Sequence, residues 1–174
     1  MGLFFSRILR ASMLDWKLYK EVEHDNRAIA HAVAVVIISS LAAGIGSRDP
    51  GDLLSLLSVT IGALIGWVFW ALLTLFLGAR IFPEPQTQTN FAQLLRTIGF
   101  SSAPGIVRLA GVIEPLRNTI FFMAAIWMLS AMVIAVRQAL DFTSTLRSLL
   151  VVLGGWIIQA LLLGVVLFAV QSYT

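Results

Sequence analysis

Cysteine is absent from this chain and charge is scarce: 12% of its 174 residues are Asp, Glu, Lys or Arg. The first absence excludes disulfides, thiolate catalysis and cysteine-ligated metal. The second excludes an ordinary water-facing surface, because soluble domains carry about 25% charged residues. Histidine is almost missing too. His24 stands in the acidic run EVEHD and His31 in an apolar run, which makes no metal site. The stretch GIGSRD lacks both the spacing and the lysine of a phosphate-binding loop. The net charge of +3 is not gathered into a basic patch, so nucleic acid is not an expected partner.

What fills the chain is hydrocarbon: 59% of residues are hydrophobic, and the mean hydropathy is +0.91. A spanning helix takes about 20 mostly apolar residues. Five stretches qualify, at residues 28–46, 53–81, 94–113, 118–136 and 149–170. The expected fold is therefore all-α, a polytopic membrane bundle of five transmembrane helices over residues 28–174. Turn chemistry separates the spans. Asp49-Pro50-Gly51 follows the first. FPEPQTQTNF, with two prolines, reads as a water-exposed linker after the second. Asp141 and Thr143 precede a helix restart at Thr145.

Basic residues predict orientation. With the N-terminus cytoplasmic, Arg7, Arg10, Lys17, Lys20, Arg27, Arg80, Arg96, Arg137 and Arg147 fall inside, and only Arg48 and Arg117 outside. The expected location is the cell inner membrane, with the C-terminus on the opposite side. Residues 1–27 form an N-terminal cytoplasmic segment. Phe5, Ile8, Leu9, Ser12, Met13, Trp16 and Tyr19 share one helical face there, with Arg7, Arg10, Lys17 and Lys20 mostly off it. Such an amphipathic helix lies on the inner leaflet or docks on the bundle; the sequence leaves both open.

Two groups of residues are candidates for more than spanning. Gly62 and Gly66, one helical turn apart, predict close helix packing, with Trp67 and Trp70 beside them. These tryptophans, with Trp127, sit mid-span, where indole N–H groups seek acceptors, and Thr74 follows Trp70 by one turn. The aromatics pack a core or line a cavity for a lipid or small ligand. The second group is TIGFSSAPGIVRLAGVIEP, residues 97–115. Pro104 cannot donate to the Phe100 carbonyl and must kink or break the helix. Ser101 and Ser102 offer hydroxyls to the freed carbonyls, and Gly99 and Gly105 relax the backbone. Arg108 lies about 9 Å from the outer end of that span, within snorkelling reach, with Glu114 as its expected partner. No catalytic residue and no cofactor are expected; a Ser101–His31 nucleophile pair lacks the flanking glycine of such motifs.

The ordered set YKEVEHD (19–25), IGALIGWVFWALLTLFLG (61–78), FAQLLRTIGFSSAPG (91–105), IWMLSAMVIAVRQAL (126–140) and RSLLVVLGGW (147–156) resembles the Yip domain family of five-span membrane proteins, in its prokaryotic short form. The resemblance implies five helices and a cytosolic N-terminus. Eukaryotic members bind prenylated Rab/Ypt GTPases and act in vesicle budding or membrane shaping. Their long N-terminal region with an Asp-Leu-Tyr-Gly-Pro motif has no counterpart here, so GTPase binding is not expected to carry over. The function expected from the sequence is a non-enzymatic membrane scaffold or accessory protein, partnered by membrane lipids and by itself or another membrane protein. The alternative is a small transporter, channel or lipid-handling protein that uses the broken third segment.

Overall fold

The computed structural model describes residues 2–47 and 51–172, and all regular structure among them is helical. Two short helices, α1 (Leu3–Ser12) and α2 (Trp16–His24), precede four long ones. These are α3 (Ala28–Gly46), α4 (Leu53–Phe76), α6 (Arg117–Ala139) and α7 (Thr145–Ser172). Between α4 and α6 lies α5 (Phe91–Phe100). The starts are chemically marked. Asp15 and Asp52 cap α2 and α4 by accepting from Lys17 N and Ser55 N, and Asn90 with Gln93 closes a capping box on α5. The Asp49-Pro50 part of the predicted turn lies outside the described residues; Gly51 follows at φ +66°, a conformation glycine adopts freely.

Among the described residues, four helices are long and apolar enough to cross a membrane: Ala28–Gly46, Leu53–Ile81, Glu114–Ala139 and Thr145–Leu162. The stretch predicted as a third span, residues 94–113, is not such a helix. It stops as an α-helix at Phe100 and continues as a 3-10 segment, Ala103–Val112. Pro104 is the cause, since it has no N–H and its ring collides with the Phe100 carbonyl. The break is repaired locally. Ser101 Oγ donates to Ile98 O at 2.7 Å, and Gly105 N to Ser102 O at 2.9 Å. The tighter winding rises about 2.0 Å per residue against 1.5 Å, so ten residues reach about 20 Å instead of 15.

This broken segment is threaded between α3 and α6. A Cβ on Gly99 would sit 2.7 Å from Ala32 Cβ, one on Gly105 2.3 Å from Ser39 Oγ, and one on Gly111 2.5 Å from Gly46 O. The pairs climb α3 in step, so the two run in the same direction over most of α3. On the other side Ser101 meets Met132, Gly105 meets Met128 and Gly111 meets Phe121, a descending series on α6. The glycines that let the broken segment pack this closely are therefore Gly46, Gly99, Gly105 and Gly111.

The N-terminal segment is a hairpin. It is not one continuous helix: Leu14 turns the chain at φ 60°, unusual for a residue with a branched side chain. The break rotates the faces expected from a single helix. Arg7 is buried, 3% exposed, while Phe5, Leu9, Met13 and Trp16 point outward, and Tyr19 is fully enclosed. Arg7 Nη2 donates to Glu21 at 2.9 Å and to Asp25 at 2.6 Å, and its Nη1 lies 3.2 Å from His31 Nδ1. Arg10 bonds Asp15 at 2.8 Å and Glu21 at 2.5 Å. Trp127 Nε1 on α6 donates to Ser12 O at 2.7 Å. Of the two placements left open by the sequence, the structure combines both features: α1 docks on the bundle through Arg7 and Ala11 and turns an apolar face away from it.

The docking is expected to depend on pH. The hydrogen bond from Arg10 holds Asp15, and that from Arg7 holds Asp25, below the ordinary 3.8. Burial pushes Glu21 up, but hydrogen bonds from Arg10 and Arg7 outweigh it and leave it below 4.5. A carboxyl depressed on folding contributes stability above its unfolded value and loses it as pH falls through its folded value. Glu23 runs the other way: burial raises it against the Lys20 hydrogen bond, so its contribution is present below 4.5 and fades as pH rises through the raised value. Three depressed groups outweigh one raised group. Amide protection of α1 is expected to hold from pH 7 to about 4.5 and to fall below that; protection that stays flat to pH 3 would contradict the ion cluster as the fastening.

At the same end of the bundle the loops are fastened to each other. Arg96, 5% exposed, reaches back to the Val22 carbonyl at 3.0 Å and to the Glu23 carbonyl, satisfying the free end of α2. The α4–α5 connection, expected to be a water-exposed linker, is mostly exposed but is anchored at Glu84. Glu84 is nearly buried and accepts from Thr143 N and Thr143 Oγ1, both at 3.0 Å, with Arg147 Nε 3.3 Å away. Gln86 donates to Asp141 O at 3.1 Å, and Lys20 meets the Asp141 carboxylate at 2.5 Å. A glutamate among prolines carries no periodic signal, which is why composition alone suggested solvent.

Candidate intramembrane site

A cleft of about 560 Å³ opens within the apolar body of the bundle. That is within the roughly 300–1,000 Å³ of small-molecule pockets. All five of the long or broken segments contribute to its wall, and it collects most of the residues singled out from the sequence: Gly66, Trp67, Trp70, Ser101, Ser102 and Arg108. Pro104 and Gly105 lie just behind the wall, both buried, and Gly62 faces open space one turn from Gly66.

Arg108 does not pair with Glu114. The guanidinium turns the other way, onto α3, where Nη2 donates to Ser39 O at 3.1 Å and Ser39 Oγ at 2.9 Å, while Nε donates to Gly105 O at 3.0 Å. Glu114 is exposed, 3.8 Å from Arg117. The reason is local: the 3-10 segment continues past Arg108 to Val112 before the Glu114 turn, so the two side chains leave on different sides. Arg117 also ties Gly111 O at 3.0 Å.

The tryptophans divide the remaining work. Trp67 Nε1 crosses to Leu95 O at 3.0 Å and links α4 to α5. The outer edge of the Trp70 ring meets α7, where a Cβ on Gly155 would come within 2.8 Å of it. Its Nε1 is buried and meets no acceptor among the described residues; Thr74 does not supply one. Ser40 and Thr60, 3.0 Å apart, close a satisfied hydroxyl pair in the wall. Gly66 removes a side chain from it, for a Cβ there would meet nothing within 4 Å. Among the described residues, neither Gly62 nor Gly66 makes a close contact. Ser101 is spent on Ile98 O and His31 on Arg7, so the serine and histidine weighed as a nucleophile pair are engaged elsewhere.

Sequence reasoning passed over Ser39 and Gln159, both of which line the cleft. Each carried a signal: Gln159 interrupts WIIQALLL, and Ser39 opens a serine pair in VVIISSLAAG. It also missed Arg7 and Arg96 as buried cations, because each was counted only for its charge.

In the comparison with protein families, the Yip1 domain matches residues 16–168. The chain belongs to the Yip1 domain family. The matched stretch contains α2 and reaches into α7, so the second arm of the hairpin is part of the Yip1 domain and α1 precedes it. No curated protein sequence and no solved structure matches the chain. Every residue of the cleft falls within the Yip1 domain.

Proposed function

We propose that this chain is a non-enzymatic Yip1-domain membrane protein that takes a lipid into its cleft sideways from the bilayer. The observation that carries the reading is the position of the opening. Val59, Ala125 and Trp156 line the cleft and are themselves exposed, and each lies within a helix long and apolar enough to span. A molecule entering past them comes from hydrocarbon. The basic residues Arg7, Lys20, Arg96, Arg137 and Arg147 gather at the hairpin end, which supports a cytoplasmic N-terminus in the inner membrane. With the broken segment counted as a traverse, the C-terminus falls on the other side.

Gly66→Leu tests this reading. A leucine at Gly66 enters open space, so the fold is expected to be kept, with thermal stability unchanged or raised by up to about 1 kcal/mol. Lipid retained through purification in mild detergent is expected to fall severalfold. Full retention in a folded variant would remove the cleft as the site. The same preparation decides the scaffold reading, which draws on the unfilled Gly62 and Gly66 face of α4. A particle heavier than one chain that falls to a single chain in Gly66→Leu, with lipid content unchanged, would favour assembly over lipid handling.

A further inference from the structure

Two donor groups in the cleft wall lack acceptors among the described residues. Arg108 has five N–H groups, no acceptor, and a permanent charge. Three of its hydrogen bonds go to Ser39 and Gly105, all through Nε and Nη2. Among the described residues Nη1 makes no hydrogen bond, and no Asp or Glu oxygen lies within 4.0 Å of the guanidinium. Trp70 Nε1 is a buried donor without a partner, and it belongs to the same wall. Ser102 and Gln159 line the cleft with hydroxyl and amide groups that make no side-chain hydrogen bond among the described residues.

Depth makes this imbalance costly. Arg108 grips Ser39, seven residues before the end of α3 at Gly46, so the charge lies about 10 Å below that end. A cation at such depth is unfavourable unless paired, and an indole N–H buried without an acceptor adds to the cost. An apolar guest would leave both costs standing. A guest with one negative charge on Arg108 would relieve the larger of the two.

We propose that the cleft holds one anionic lipid, with a compact carboxylate or phosphate monoester head on Arg108 Nη1 and its chain in the apolar remainder of the cleft. This rests on the lipid-handling reading and adds the sign and size of the head. A choline head would bring a second cation beside Arg108. A sugar head would bring neutral hydroxyls, which can accept from Arg108 but leave its charge unpaired.

The full chain, purified in detergent, is titrated separately with palmitate, dioleoyl phosphatidate, dioleoylglycerol, dioleoyl phosphatidylcholine and inorganic phosphate, and bound ligand is counted by native mass spectrometry. Palmitate and phosphatidate are expected to bind at least about tenfold more tightly than dioleoylglycerol or phosphatidylcholine, the scale of one charge-assisted hydrogen bond. Arg108→Gln is expected to bring that ratio to about one, and Arg108→Lys to keep part of it. The wild-type ratio stands as a test even if Arg108→Gln fails to fold. Equal binding of phosphatidate and dioleoylglycerol by the wild type would overturn the anionic head and leave lipid handling intact. A ratio unchanged in a folded Arg108→Gln would overturn it too. Inorganic phosphate binding as tightly as phosphatidate would overturn the lipid as the source, and binding of none of the lipids would overturn both readings.

Discussion

Gly46→Ala is expected to cost at least about 3 kcal/mol of stability, at or beyond the upper end of ordinary overpacking. The added Cβ would lie 1.8 Å from Arg108 O and 2.9 Å from Arg108 C. These are backbone atoms, so no rotamer change makes room. The 3-10 segment would have to move bodily, and it cannot do so freely because Gly111 is pressed on Gly46 O and Phe121 from the other side. Arg108 would be carried away from Ser39 by the same shift. The measurement is thermal unfolding in detergent beside Gly62→Ala as a control, where a Cβ meets nothing within 4 Å. There the helix is expected to gain slightly, since alanine in a helix interior is favoured by roughly 0.5–1 kcal/mol over glycine. An unfolding temperature for Gly46→Ala equal to the wild type would mean that α3 and the broken segment are not packed backbone to backbone.

Arg7→Ala is expected to release the N-terminal hairpin. Removing one partner of a buried pair typically costs about 3–5 kcal/mol. Here the carboxylates left behind are partly wet, with the Glu21 and Asp25 side chains 36% and 29% exposed, so about 2–3 kcal/mol is the fair scale. His31 loses its neighbour as well, and α1 loses the one charge it sends into the bundle. Limited proteolysis within residues 3–24 reads the outcome. Cleavage is expected to accelerate at least about tenfold over the wild type, while Lys17→Ala, at an exposed position, leaves it unchanged. Equal protection in Arg7→Ala would show that Trp127 and the apolar contacts of Leu18, Tyr19 and Val22 hold the hairpin without the ion cluster.

Much of this was legible in the residues. Unbroken apolar runs gave α3, α4, α6 and α7 because length and hydropathy suffice when lipid is the solvent. Pro104 announced the break through its missing N–H. What the break does was not legible, because it is decided by partners distant in sequence: Gly46 with Gly111, Ala32 with Gly99, Ser39 with Arg108. Glu114 was the natural partner for Arg108 by sequence distance, and the geometry chose a serine 69 residues away. The hairpin was misread for a different reason. Nothing about Leu14 signals a left-handed turn, and a periodicity drawn through it put Arg7 on the wrong face. The glycine pair on α4 matched a packing pattern, and among the described residues nothing in this chain fills it.

The fastening of the loops at one end has a mechanical consequence. Lys20, Glu84, Gln86, Arg96, Asp141 and Arg147 bind four chain segments into one plate. At the opposite end, among the described residues, the polar ties are Arg117 to Gly111 and to Glu114. That plate is to the bundle what the stem is to a tuning fork: it holds the spans at a fixed spacing, so any spreading of the spans pivots about it. The lateral pressure of the leaflet on that side meets a joint of ion pairs and hydrogen bonds.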